Sequence, residues 1–174
     1  RRRGNKETNV EDFGDIKAEM DSCKPLTDLF VIELKTGYAT KAKSKAKKHD
    51  GKEVVKVNNW AIMDELDSKQ IETQFMKFWK QVCRDAAVSN KEPWLIFRRQ
   101  NKLPCIAMYR DVFDVINLSL NENFRHYLPR IVLTDVGDWS DIAVCNLADF
   151  LFMTKGKFNN PEFLERLKKL LTSE

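Results

Sequence analysis

The stretch that decides the fold is Leu29-Phe30-Val31-Ile32-Glu33-Leu34-Lys35, which Gly37 follows closely. Its continuous apolar start is typical of a strand buried on both faces, so we expect it to be central in a sheet. Side chains two residues apart on a strand share a face, so Glu33 and Lys35 point the same way. A carboxylate and an ammonium in such a strand are costly unless they pair or meet a metal or ligand. The alternative is a strand end whose polar residues reach solvent.

The rest of the chain alternates between strand and helix patterns. Apolar residues at helical spacing predict a long helix over 68–87, with Asp67 or Ser68 as its N-cap and Ser89-Asn90 as its stop. A final amphipathic helix is predicted over 162–171, capped by Asn160. Short strands are predicted over 16–20, 94–98, 105–109, 131–133 and 142–144, a connection over 21–27, a lysine-rich loop or ragged helix over 38–58, and a short helix or strand end over 147–153. This order indicates an α/β domain with a mixed sheet.

Composition limits the class of protein. A chain of 174 residues with 43% hydrophobic residues can bury a core, and it suits one domain or one with a small appendage. No apolar run approaches 18 residues, so we expect no membrane span and a cytoplasmic location. The first residue is Arg1 rather than Met, and no signal-peptide pattern follows it, which indicates a fragment of a cytosolic protein.

The residue types narrow the possible chemistry. The four cysteines are widely scattered and form no Cys-x-x-Cys pair, so we expect reduced thiols. The two histidines, His49 and His126, are far apart in sequence, which argues against a zinc site and against a Ser-His-Asp hydrolase. A bound metal would therefore be held by carboxylates, and magnesium or manganese is the expected ion.

A second carboxylate is needed beside Glu33 to hold such an ion. Asp28 lies five residues earlier and would face the opposite side of the sheet if the strand were regular. Asp15, at the head of the preceding predicted strand, is the better candidate because an antiparallel neighbour would bring it near Glu33. Gly14 allows the backbone the unusual turn that such a placement often needs.

These residues resemble a known nuclease pattern. Gly14-Asp15-Ile16, a spacer and then Val31-Ile32-Glu33-Leu34-Lys35 is similar to the motif of the PD-(D/E)xK nucleases. The helix segment Phe78-Trp79-Lys80-Gln81, leading to 91–98, resembles the phage-encoded and archaeal-type Holliday-junction resolvases of that superfamily. The leading basic segment 2–6 resembles the loop ahead of Gly-Asp in the phage members. The resemblance covers residues 1 to about 110.

The resemblance implies a fold and a set of roles. It implies a restriction-endonuclease-like core over 1–110, with 111–174 as a C-terminal α/β extension packing on the same domain. It implies that Asp15 and Glu33 ligate Mg²⁺ or Mn²⁺, and that Lys35 orients or helps to deprotonate the attacking water and stabilises the charge that develops on the phosphate. Gln81 matches the helix glutamine of the family, with Gln74 in reserve on the same helix face.

One departure concerns an acidic residue that family members carry on a helix ahead of the basic loop. This chain begins at Arg1, and no geometric argument selects Glu7, Glu11 or Asp12 as a substitute.

The positive charge indicates a partner. The net charge of +4 has its excess in residues 1–60. Such runs are either solvated loops or a basic arm that follows phosphates by counterion release. The candidate DNA-binding residues are Arg1, Arg2, Arg3, Lys6, Lys41, Lys43, Lys45, Lys47 and Lys48.

The sequence thus predicts a Mg²⁺-dependent DNA endonuclease that is selective for branched DNA, such as a Holliday-junction resolvase. A resolvase cuts two strands related by symmetry, so a homodimer is expected. If the gene is phage-encoded, the location is the host cytoplasm. The alternatives are a non-catalytic DNA-binding module with a degenerate nuclease fold, a restriction-type nuclease on linear duplex, and a segment that merely binds RNA or acidic protein through its charge.

Overall fold

The computed structural model describes residues 14–36, 73–99, 102–120, 130–133 and 141–171. The loop predicted over 38–58, the helix caps Asp67 and Ser68, and the acidic residues Glu7, Glu11 and Asp12 lie outside the described residues. The basic runs Arg1–Arg3 with Lys6 and Lys41–Lys48 lie outside them as well.

Five helices and five strands, together with two single 3₁₀ turns, make up the described fold. The helices are α1 (Lys24–Leu29), α2 (Gln74–Ser89), α3 (Arg110–Leu120), α4 (Leu147–Met153) and α5 (Pro161–Leu171). The strands are β1 (Phe30–Thr36), β2 (Glu92–Arg98), β3 (Cys105–Tyr109), β4 (Arg130–Leu133) and β5 (Ile142–Asn146). The 3₁₀ turns are Asp21–Cys23 and Lys157–Asn159.

The strands form one mixed sheet in the order β1-β2-β3-β5-β4. Strands β1 and β2 are parallel, whereas the other neighbours are antiparallel. The predicted α/β class and mixed sheet are therefore confirmed, as is the hairpin of β2 and β3. The expectation that the Phe30–Thr36 strand is central was wrong among the described strands, where it is an edge. Its apolar run reflects burial of both its faces, which an edge strand also has when helices cover them.

Helices cover both faces of the sheet. On one face α2 buries Phe75, Trp79, Val82 and Ala86 against the strands. The opposite face packs against α3, α4 and α5, with a cluster of rings at its centre. There Trp94 stacks on Phe30 at a centroid distance of 3.8 Å and meets Phe150 and Phe158 edge-on. The members of this second core are Phe30, Ile32, Trp94, Ile106, Met108, Val112, Phe113, Ile116, Ala143, Cys145, Phe150, Phe163 and Leu167.

Local chemistry explains where the helices begin and end. The Thr73 side chain accepts a hydrogen bond from the Met76 amide at the start of α2, and Asn90 ends that helix in the left-handed conformation. Asn146 and Asn160 accept amide hydrogens at the starts of α4 and α5. The predicted stop at Ser89-Asn90 and the predicted Asn160 cap are confirmed.

Two further predictions, both about short segments, differ from the structure, and one helix was missed. Residues 16–20 form no strand, and the connection predicted over 21–27 contains most of helix α1 and a 3₁₀ turn. Helix α3 was not predicted, although Val112, Phe113 and Ile116 have the i, i+1, i+4 spacing of a buried helix stripe. Its charged and polar residues dilute the apolar pattern, and the preceding strand ends directly at Arg110.

Residues 14–16 lie along the outer edge of β1 in place of a strand. The Asp15 amide donates to the Ile32 carbonyl at 2.8 Å. Gly14 has φ +88°, and a Cβ added there would stand 3.1 Å from the Ile32 carbonyl oxygen. Glycine is therefore needed here both for its backbone conformation and for the close approach to β1.

Both predicted segments, residues 1–110 and 111–174, contribute strands to the sheet. Strands β3 and β5 come from either side of residue 110 and are hydrogen-bonded neighbours in one sheet. The division into 1–110 and 111–174 stays a prediction. In the part of the chain that the structure describes, no helix has the length and apolar character needed to cross a membrane.

Gly14→Ala should lower the free energy of unfolding by about 2 kcal/mol, because it adds a tight backbone contact to an unfavourable φ. Gly156→Ala is the matched control, since Gly156 has φ +74° but no atom within 4 Å of the added Cβ. Urea denaturation measures both. Equal losses in the two variants would contradict a special close approach at Gly14.

Candidate active site

The outer edge of β1 gathers three of the predicted site residues. Asp15 enters it through two hydrogen bonds to the strand: its amide donates to Ile32, and its Oδ2 accepts the Leu34 amide at 2.8 Å. The Asp15 side chain thus takes the place of a partner strand's carbonyl and is held at the level of Glu33. Because the N–H and C=O of one strand residue leave on the same side, the Leu34 carbonyl also points to this edge.

Glu33 and Lys35 form a buried ion pair on the α2 face of β1. The Lys35 Nζ donates to the Glu33 Oε2 at 2.8 Å. The Lys35 side chain is only 14% exposed and the Glu33 side chain only 7%, so this is not a solvated strand end. The Lys35 ammonium also lies 5.5 Å from the centre of the Phe78 ring, on helix α2. A charge pair so placed has lost much of its hydration and depends on its partners.

The electrostatics of Glu33 show that its ionised form is held at a cost. Burial raises the pKa of Glu33 above its ordinary value of 4.5, and the Lys35 ammonium opposes that rise. Asp15 raises the pKa of Glu33 further, through a side-chain hydrogen bond and through its charge. Two carboxyl groups close enough to interact in this way repel each other when both are ionised, which a bound cation would relieve.

The oxygens at this edge fit a hard divalent cation. Mg²⁺ is commonly bound by one or two carboxylates together with water and substrate phosphate oxygens. Asp15 and Glu33 supply two carboxylates, and the Leu34 carbonyl lies on the same edge. In the described ranges no group of three or more His, Cys, Asp or Glu side chains converges on one point. Two carboxylates by themselves would leave the other coordination positions of such an ion to water or substrate oxygens.

Helix α2 carries the two candidate glutamines on the same flank as Phe78. Gln74 and Gln81 are both half-buried and lie one turn to either side of Phe78. Phe78 faces Lys35, so the helix flank that carries both glutamines is the flank next to β1.

Sequence reasoning missed two contributors to the site. One is Phe78, whose ring faces Lys35; the sequence indicated it only as part of the segment Phe78–Gln81, with no role of its own. The other is the Leu34 amide, which fixes the Asp15 carboxylate and which no side-chain pattern can indicate. Asp28, which was rejected as a ligand, is exposed in helix α1 rather than on an extension of β1.

The cysteines have no part in this site. All four are free thiols. Burial raises the pKa of the Cys83 thiol to about 11 and that of Cys145 to about 12, so neither is a thiolate near neutral pH. Both are buried free thiols, which agrees with the expected reduced thiols.

Comparison with known proteins came to one match. A family model described as "Phage putative PDDEXK endonuclease" matches residues 6–160. The match includes Asp15, Glu33 and Lys35, and it extends beyond residue 110. No curated protein and no solved structure matches the chain.

Glu33→Gln should raise the free energy of unfolding of the metal-free protein at neutral pH, because it removes a buried charge that the fold holds unfavourably. The folded-state pKa of Glu33 is raised, so its contribution to stability is fully present below the unfolded value and is lost as pH rises through the folded value. The gain of the variant should therefore shrink on acidification toward pH 4.

Urea denaturation in EDTA at several pH values measures this difference. Glu165→Gln, at an exposed position on α5, is the control for loss of a carboxylate. A Glu33→Gln variant that is less stable than the native protein at pH 7 would show that the ion pair with Lys35 outweighs the cost of burial.

Proposed function

Because the chain belongs to the phage PDDEXK endonuclease family, we propose that it hydrolyses phosphodiester bonds in DNA with the help of a divalent metal ion. The observation that carries the proposal is the juxtaposition of Asp15, Glu33 and Lys35 at one edge of β1, with the Lys35 ammonium 2.8 Å from Glu33. The family is described as an endonuclease family, which implies DNA as the substrate. Nucleases of this superfamily generally use divalent metal ions, and we propose Mg²⁺ or Mn²⁺ here.

Asp15 and Glu33 would hold the metal ion. A bound divalent cation supplies a lowered pKa for water and offsets the negative charge that grows on the phosphoryl oxygens. The Leu34 amide keeps the Asp15 carboxylate on the strand edge. A cation held by the two carboxylates would offset the cost of burying ionised Glu33, which favours cation binding at neutral pH.

Lys35 would act on the water and on the phosphate. Its ammonium is nearly buried and has a fixed direction, because Glu33 holds its Nζ and the Phe78 ring lies 5.5 Å away. An ammonium in that position can donate hydrogen bonds to the attacking water and to a phosphoryl oxygen, and its charge stabilises the transition state. Gln81, or Gln74, would orient the same water or phosphate from helix α2.

The proposal also covers the type of DNA that the protein cuts. We infer selectivity for branched DNA, with a four-way junction as the preferred substrate, and a homodimer that cuts two symmetry-related strands. The support is the resemblance of the Phe78–Gln81 segment to resolvases.

Asp15→Asn, Glu33→Gln and Lys35→Ala should each reduce DNA cleavage in Mg²⁺ by about 100-fold or more, because each removes a ligand or the water-facing ammonium. Binding to the same DNA in EDTA should stay within a few-fold of the native value. Glu165→Gln is the matched surface control and should cleave normally. Native-like cleavage by Glu33→Gln would overturn the site assignment.

Metal binding has a readout of its own. Mg²⁺ at millimolar concentration should raise the melting temperature of the native protein, since a ligand that binds only the folded state stabilises it. The shift should be absent from Asp15→Asn. DNA binding without cleavage, and with no thermal shift from Mg²⁺ or Mn²⁺, would instead support a degenerate, non-catalytic binding module.

Substrate selectivity is tested with two DNAs of matched sequence, a four-way junction and a linear duplex. We expect faster cleavage of the junction, by paired cuts, and a dimeric mass in solution. Equal rates on both DNAs would favour a restriction-type nuclease and remove the resolvase proposal while leaving the nuclease proposal intact.

A further inference from the structure

Helix α2, whose Phe78 contacts Lys35, carries positive charge on its exposed surface. Lys77 and Arg84 are both exposed and are seven residues apart, with Gln81 between them at helical spacing. We call Lys77, Gln81 and Arg84 the α2 outer surface. Neither cation has an ion-pair partner among the described residues, although the Arg84 Nε donates to the Lys80 carbonyl one turn earlier. Their charges are thus available to an anion.

Contacts of α2 with the sheet show which way this surface faces. On one flank of the helix Trp79 meets Tyr109 of β3 edge-on, and Cys83 accepts a hydrogen bond from the same tyrosine. On the other flank Phe78 meets Lys35 of β1. Gln81 lies one turn from Phe78, so the α2 outer surface continues the β1 flank around to solvent.

The occupant that fits this surface is a DNA backbone. Helical rise places Lys77 and Arg84 about 10 Å apart along the helix axis, which matches the rise of about three nucleotides of one strand along the axis of a DNA duplex, at about 3.4 Å each. The helix carries one acidic side chain, Asp85, which is half-buried on the Phe78 flank rather than between the two cations. A DNA strand that contacts both Lys77 and Arg84 would therefore meet no acidic side chain of α2 between them.

We propose that Lys77 and Arg84 bind phosphates of the substrate DNA on the α2 side of the active site, with Gln81 between the bound strand and Lys35. The inference rests on the proposed nuclease function and adds a specific binding surface to it. It differs from the basic runs of the N-terminal third, because it belongs to the helix that also packs against the catalytic strand.

The test measures binding of a fluorescent DNA duplex in EDTA by anisotropy, over a range of salt concentrations. Lys77→Ala/Arg84→Ala should weaken binding about tenfold or more and reduce the slope of log K against log salt by about 2, since each lost phosphate contact removes about 0.9. The control is Lys155→Ala/Lys157→Ala, two exposed lysines beside α4, on the opposite side of the sheet. It should leave both affinity and slope nearly unchanged.

The outcomes separate this inference from the nuclease proposal. Native affinity and slope in Lys77→Ala/Arg84→Ala, with cleavage by the native protein, would overturn the α2 surface and leave the nuclease proposal standing. Weakened binding in that variant, without cleavage by the native protein in any divalent metal, would support the surface and overturn catalysis. Equal weakening in both double variants would overturn the inference, because binding would then depend on the net charge of the protein and not on the position of Lys77 and Arg84. A native protein that binds no DNA would overturn it as well.

Discussion

The candidate site depends on the way Asp15 is fastened to the outer edge of β1. Its amide and its carboxylate occupy two successive hydrogen-bonding positions, on Ile32 and Leu34. An edge strand has unpaired backbone groups, and here a single residue satisfies two of them. The same contacts set the position of a carboxylate beside Glu33. Gly14 makes the approach possible, because a Cβ at that position would crowd the Ile32 carbonyl.

The two faces of β1 have different roles, because one packs in the core and the other carries the charged side chains of the candidate site. Phe30 and Ile32 point into the aromatic core that α3, α4 and α5 cover. Val31, Glu33 and Lys35 point to the α2 side, where burial gives way to the ion pair as the strand nears its end. A rigid core on one face therefore supports a costly pair of charges on the other. This arrangement suits catalysis, in which charged groups must be held in place before substrate arrives.

Helix α2 joins the core, the site and the proposed DNA surface. Its inner stripe packs on the sheet, its flank brings Phe78 to Lys35, and its outer surface carries Lys77 and Arg84. These three faces belong to one helix. DNA bound by Lys77 and Arg84 would therefore contact the same helix whose Phe78 contacts Lys35. The affinity for DNA and the rate of cleavage would then both depend on helix α2.

Much of the fold could be predicted from the sequence, because the spacing of apolar residues indicates which side chains of a strand or helix are buried. The strands at 94–98, 105–109, 131–133 and 142–144 and the last helix were predicted close to their observed bounds, and Glu33 and Lys35 share a face as strand geometry requires. Pattern alone also singled out Asp15. The sequence could not decide that β1 is an edge among the described strands, nor that residues 14–16 attach by a side chain rather than as a strand. Both depend on which backbone groups remain unpaired after the sheet assembles, and only tertiary contacts determine that.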